Sequence, residues 1–245
     1  MSKYFQAPWT IKDVVIILLI VVGVVLGIDL IFYFTNGDEL LRENFSKEWV
    51  VITIFLAQSL ILLVPLVALS FIKEKKWKWI SLGFTKKGIW KGLLQAVVGY
   101  FAYIVISIFI MVLILYGGLK IPGYQLAEPV LPMFGDGSLA LILAGVITMF
   151  VAPFIEEIFF RGFVLQGISN SVGKIIGAFS TALLFAVFHL QFGSFVPILI
   201  LGLILSVLFI QSKSIWPCIW FHIINNSIAF TVELMILQGI IPLDF

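Results

Sequence analysis

Three short stretches in the second half of the chain hold residues able to do chemistry in otherwise apolar surroundings. Glu156, Glu157 and Arg161 lie in 154–162, His189 closes 185–189, and His222 stands with Asn225 and Asn226 in 220–226. Charges and imidazoles at hydrocarbon depth are costly, so those present are functional candidates. Helical spacing sorts them. Glu157 and Arg161 stand at i and i+4, where a carboxylate and a guanidinium can neutralise each other along one face. Glu156, rotated about 100° away, is left free to face another helix. Gly177, Thr181, Phe185 and His189 recur every four residues, a stripe of small members that permits close helix approach and ends in an imidazole. His222 and Asn226 are again i and i+4, presenting an imidazole and a carboxamide on one face.

A carboxylate beside an imidazole can activate a water as general base. A second imidazole and a carboxamide are donors suited to a developing oxyanion. Together they are the inventory for hydrolysing an amide with an activated water and no nucleophilic side chain. Glu156, His189 and His222 could instead bind zinc, with a water in the fourth position. Asn225 reads as interhelical glue and Glu233 as a structural or interfacial acid. Cys218, the single cysteine, forbids an internal disulfide and disfavours a cysteine-based metal site.

The elements that must position these groups are membrane helices. Of 245 residues, 62% are apolar and 11% charged, with a mean hydropathy of +1.18. A soluble domain carries roughly a quarter charged residues, so the chain belongs in a bilayer, and nucleic-acid binding, collagen and disorder are excluded. Spanning helices need about 20 apolar residues. Seven uncharged or nearly uncharged runs qualify: 14–34, 49–72, 92–116, 138–168, 174–191, 195–211 and 214–240. The stretch 175–212 has no Asp, Glu, Lys or Arg and would be roughly 57 Å long as one helix. It must fold back, with Gln191, Gly193, Ser194 and Pro197 supplying the turn. The fold class is therefore all-α, a polytopic transmembrane bundle of about seven, or eight, helices.

The first run is read as a retained helix rather than a signal peptide, because no small-residue cleavage site follows it. Asp29 within it is expected near the outer interface. Counting seven crossings, Lys3, Lys12, Lys73, Lys75, Lys76, Lys78, Lys86, Lys87, Lys91, Lys174 and Lys213 collect on one face, against Arg42, Lys47 and Lys120 on the other. That asymmetry predicts a multi-pass cell-membrane protein with a cytoplasmic N-terminus. The basic, Trp-containing loop 73–91 reads as an interfacial anchor. The proline-bearing connection 117–137 reads as a loop, or a lid over the bundle. The division expected is 1–136, N-terminal membrane helices with the basic loop, and 137–245, a helical core carrying the site. Counted from the turns near Ser171 and Ser214, Glu156 and His189 lie roughly 22 Å deep, His222 and Asn226 roughly 12 and 18 Å. Three helices thus bring polar groups to overlapping depths.

Glu156-Glu157-x-x-x-Arg161, Phe185-x-x-x-His189 and His222-x-x-x-Asn226 resemble, in order, the three motifs of the CPBP family of CAAX proteases and bacteriocin-processing enzymes, which includes the type II CAAX prenyl endopeptidases and the Abi proteins. They cover about 70 residues of the C-terminal half. The resemblance implies an intramembrane endopeptidase in which Glu156 and His189 activate water and His222 and Asn226 stabilise the oxyanion. Glu157 and Arg161 support the site, with Phe185 among the supporting residues. It implies no cofactor, the zinc alternative remaining open from the residues themselves. The implied partners are the lipid bilayer and a membrane-associated peptide or prenylated protein, with no nucleic acid. The competing class is a non-catalytic membrane scaffold or bacteriocin-immunity protein that keeps the fold.

Overall fold

Apolar runs of this length can satisfy their backbone polar groups in a bilayer only by closing them on themselves as helix. The computed structural model describes residues 7–72, 79–85, 89–118, 131–134 and 137–241, and the described residues contain helices and no strand. Eight helices follow one another: α1 Ile11–Thr35, α2 Gly37–Asn44, α3 Lys47–Ile72, α4 Ile89–Leu115, α5 Ser138–Val172, α6 Lys174–Phe188, α7 Phe195–Ser212 and α8 Trp216–Leu237. Among the described residues, six of them, all but α2 and α6, are long and apolar enough to cross a membrane. This is a multi-pass membrane protein.

The expected all-α bundle of about seven membrane helices is what the described residues form, six helices of spanning length and the shorter apolar α6. The apolar run 174–191 yields a helix of 15 residues, about 22 Å long and short of a hydrocarbon core of about 30 Å. Its last turn closes at His189, and Leu190 adopts the left-handed conformation (φ 52°) that reverses the chain. Because α6 and α7 pack side by side as a hairpin, Lys174 and Lys213 stay on the same face whether or not α6 reaches the far surface. The eight-residue α2 follows α1 directly and was not anticipated.

α5 is the axis of the molecule. Over its 35 residues it packs against α1, α3, α6, α7 and α8, and its aromatic residues Phe159, Phe160 and Phe163 are buried. Two stretches of it, Ile147–Val151 and Ile158–Leu165, are π-helical, a rare geometry frequent at functional sites. α4 leans on α7 and α8, and α1 on α3. One apolar core runs from Ala7 to Phe221 and joins helices from both halves of the chain. The outward faces of α1, α3 and α4 expose large apolar side chains such as Leu19, Leu60 and Phe101, the surface expected against lipid.

Two short segments plug the ends. In the basic loop, residues 73–78 and 86–88 lie outside the described residues, and 79–85 pack against the bundle. Leu82 is buried, the Gly83 carbonyl accepts the Ile215 N–H at 2.9 Å, and the Gln166 amide donates to the Ser81 carbonyl at 2.8 Å. Of the connection 117–137, residues 119–130 and 135–136 lie outside the described residues. Its turn Leu131–Phe134 is anchored by the Glu233 carboxylate, which accepts the Leu131 N–H at 2.6 Å, giving Glu233 the structural role expected of it. Asp29 is exposed on α1. Before α1, the Trp9 indole donates to the Phe163 carbonyl of α5 at 2.9 Å.

Candidate active site

Glu157 and Arg161 face each other along α5, Oε1 to Nη1 at 2.9 Å, with both side chains at 0% exposure. Glu157 Oε2 and Arg161 Nε are buried without a hydrogen-bond partner among the described residues, so the other contacts of the pair must offset part of its desolvation. Arg161 Nη2 donates to the Gly202 carbonyl of α7 at 3.2 Å, and the guanidinium lies 4.4 Å from the centre of the Phe185 ring. A cation over an aromatic face away from water contributes about 2 kcal/mol. Gly202 is required here by space: a Cβ on it would meet the Cα of Ala182 in α6 at 3.1 Å.

The same Glu157 oxygen receives a second donor from α8. His222 Nδ1 lies 2.8 Å from Oε1, and because a carboxylate only accepts, Nδ1 carries the hydrogen and Nε2 faces the opposite way. There Nε2 stands 3.9 Å from Oε2 of Glu156, and His189 Nε2 stands 3.8 Å from that same oxygen. Glu156 Oε2 is buried with no hydrogen-bond partner among the described residues. His189 is held from behind, its Nδ1 2.7 Å from the Phe185 carbonyl. A carbonyl can only accept, so a hydrogen sits on Nδ1 and the ring turns Nε2 to Glu156. Glu156 and His189 are 24% and 26% exposed, while His222 is 4%. The arrangement thus has one open side, formed by Glu156 and His189, and a sealed back formed by Glu157, Arg161 and His222.

Phe185 is the common wall. Its ring centre is 4.4 Å from that of His189 and 5.7 Å from that of His222, and the ring also meets Phe160 edge-on and the Arg161 guanidinium. The expected stripe Gly177, Thr181, Phe185, His189 is the inward face of α6: the first three are buried and the imidazole sits at the exit.

Glu156, Glu157, Arg161, Phe185, His189 and His222 are therefore brought together. Asn226 stands one turn beyond His222, and its Nδ2 donates to the Thr148 carbonyl of α5 at 2.9 Å while Asn225 Nδ2 donates to its Oδ1 at 3.1 Å. As to a metal, no group of three or more His, Cys, Asp or Glu among the described residues is arranged to hold an ion. The free oxygen and imidazole nitrogens are 3.8 and 3.9 Å apart, wider than the roughly 3.4 Å between two ligands each about 2.1 Å from a tetrahedral zinc.

Residues 138–228, from the first residue of α5 into α8, match the family model described as type II CAAX prenyl endopeptidase Rce1-like. This segment is similar to the Rce1-like family. The match takes in every residue of the cluster and, being less than half of the chain, leaves α1 to α4 outside it. It agrees with the resemblance carried by the three motifs, and the Rce1-like family is one of proteases. Comparison with curated proteins and with solved structures gave no match.

Within the Rce1-like segment, sequence reasoning missed the backbone acceptors. The carbonyls of Phe185, Gly202 and Thr148 orient His189, Arg161 and Asn226 in turn. Every residue carries such a carbonyl, so composition and spacing give no sign of which ones will be used.

Proposed function

We propose that the chain is an intramembrane glutamate-dependent endopeptidase, acting on a membrane-associated peptide or a prenylated CAAX protein. The observation that carries this reading is the buried, unpartnered Glu156 Oε2 facing two imidazole nitrogens at 3.8 and 3.9 Å. These separations are too long for direct hydrogen bonds and suit a water that donates one hydrogen to Glu156 and one to His189.

In the reaction, that water attacks the scissile carbonyl carbon as Glu156 takes its proton. The electron pair moves to the carbonyl oxygen. In its doubly protonated form His222 keeps Nδ1–H on Glu157 and offers Nε2–H to the oxyanion, and the Asn226 amide is the second donor. Collapse of the tetrahedral intermediate breaks the C–N bond, and Glu156 passes its proton to the leaving amine. Glu157, braced by Arg161, fixes the His222 ring. No metal takes part in this scheme. The lysine asymmetry supports a cell-membrane location with the N-terminus in the cytoplasm.

The test uses the full chain purified into proteoliposomes with a fluorogenic farnesylated CAAX peptide. Glu156→Ala and His189→Ala are each expected to lower kcat by at least about 10²-fold, the range of a lost general base. A chelator is expected to leave the wild-type rate unchanged. Undiminished hydrolysis in either variant would overturn this mechanism, a wild type that cleaves nothing would point instead to a scaffold that keeps the fold, and a chelator loss restored by zinc would replace the metal-free scheme.

A further inference from the structure

Residue 153 is a proline one turn before the two glutamates of α5. It stands where the helix leaves its first π-helical stretch: the Ala152 N–H bonds to the Ile147 carbonyl, five residues back. In that register the next residue, 153, is the one whose N–H would close on the Thr148 carbonyl, and a proline has no N–H to give. An unpartnered carbonyl at membrane depth costs several kcal/mol. Here the deficit is met from another helix, by Nδ2 of Asn226 at 2.9 Å.

The consequence for Asn226 is directional. A carboxamide has a donor end and an acceptor end of nearly equal shape, and only the donor end can meet a carbonyl oxygen. The Thr148 carbonyl therefore fixes Nδ2 on the α5 side, and the Asn225 amide, donating to Oδ1 at 3.1 Å, holds the other end. Nδ2 keeps a second hydrogen with no acceptor among the described residues, on the helix face that also bears His222 one turn away.

We propose that Pro153 is a positioning residue of the site: by withholding an N–H from Thr148 it creates the acceptor that orients Asn226 and keeps its second N–H available to the oxyanion. The inference deepens the peptidase reading and rests on it. An Ala at 153 supplies a competing N–H to the Thr148 carbonyl from within α5, with no change in any side chain that touches substrate.

The experiment compares wild type, Pro153→Ala, Asn226→Ala and the double variant on the farnesylated CAAX peptide, with folded protein quantified by gel filtration. Loss of one oxyanion donor costs about 10²–10³ in kcat, so Asn226→Ala is expected in that range. Pro153→Ala, which loosens the donor without removing it, is expected to lose about tenfold in kcat, with KM within about twofold. The double variant is expected to be no slower than Asn226→Ala alone, because the proline acts only through the amide. An unchanged kcat in Pro153→Ala overturns the proposal. So does a double variant slower than Asn226→Ala by the factor Pro153→Ala shows alone, which would make the proline a structural element acting elsewhere. Either result leaves the peptidase reading intact, whereas full activity in Glu156→Ala overturns that reading itself.

Discussion

At the scale of single residues, the site is organised by which groups can only donate and which can only accept. Glu157 takes two donors on one oxygen, Arg161 and His222, so its loss would strand a guanidinium and an imidazole together. Arg161→Met leaves a buried carboxylate without its counter-charge and is expected to cost about 3–5 kcal/mol, read as a fall in thermal midpoint in detergent. Glu157→Gln alone is expected to destabilise as well, while Arg161→Met combined with Glu157→Gln should be more stable than Arg161→Met, because removing a buried pair as a pair leaves no charge stranded. A double variant at or below the sum of the singles would show that the pair contributes nothing as a pair. These side chains were legible in the sequence because an ionisable group at membrane depth is costly enough to stand out, and the i, i+4 pairing of Glu157 with Arg161 holds in the structure. The partners of Glu156 were legible as types and not as geometry: nothing in the spacing said that one carboxylate oxygen would face both imidazoles.

At the scale of elements, the site depends on helices that stop early and approach closely. α6 stops after 15 residues, which places His189 at a helix end where its Nδ1 can reach the Phe185 carbonyl. The sequence placed the start of this helix correctly and its end three residues late, since Leu190 in a left-handed conformation is not foreseeable from an apolar run. The π-helical stretches were equally hidden, because a run of apolar residues shows no period that distinguishes one helical register from another. Close approach was partly legible: Gly177 belonged to an evident small-residue stripe, whereas Gly202 lay in a run without pattern. Gly202→Ala places a Cβ 3.1 Å from the Cα and 3.2 Å from the Cβ of Ala182, so α6 and α7 must separate. It is expected to cost about 1–3 kcal/mol by overpacking and to lower kcat by drawing the Gly202 carbonyl from Arg161. A Gly202→Ala protein with wild-type thermal midpoint and rate would show that the two helices have room to give.

At the scale of the whole molecule, the bundle and its run boundaries were legible from apolar runs to within a few residues, but not which segments fill its ends. The segment 79–85 is held against the bundle by the buried Leu82 and by hydrogen bonds of its backbone carbonyls to Ile215 and Gln166, contacts of which its lysine-rich flanks give no sign. Orientation can be read with thiol chemistry, because the native Cys218 is fully buried and its Sγ–H is engaged by the Leu205 carbonyl at 3.2 Å. Glu43→Cys, on exposed α2, is expected to react with a membrane-impermeant maleimide in intact cells. Gln211→Cys, exposed at the end of α7, should react only after permeabilisation. The opposite pattern would invert the lysine-based assignment.

The pairing of Arg161 with Glu157 also bears on how the chain enters the membrane. α5 is synthesised and must partition into lipid before α8 exists, and His222 follows Glu157 by 65 residues. A lone acid at a helix centre disfavours insertion by about 2.5–3.5 kcal/mol on translocon scales. With its counter-ion four residues away in the same helix, Glu157 carries its own neutralisation into the bilayer, whereas Glu156 beside it must wait for the imidazoles of α6 and α8.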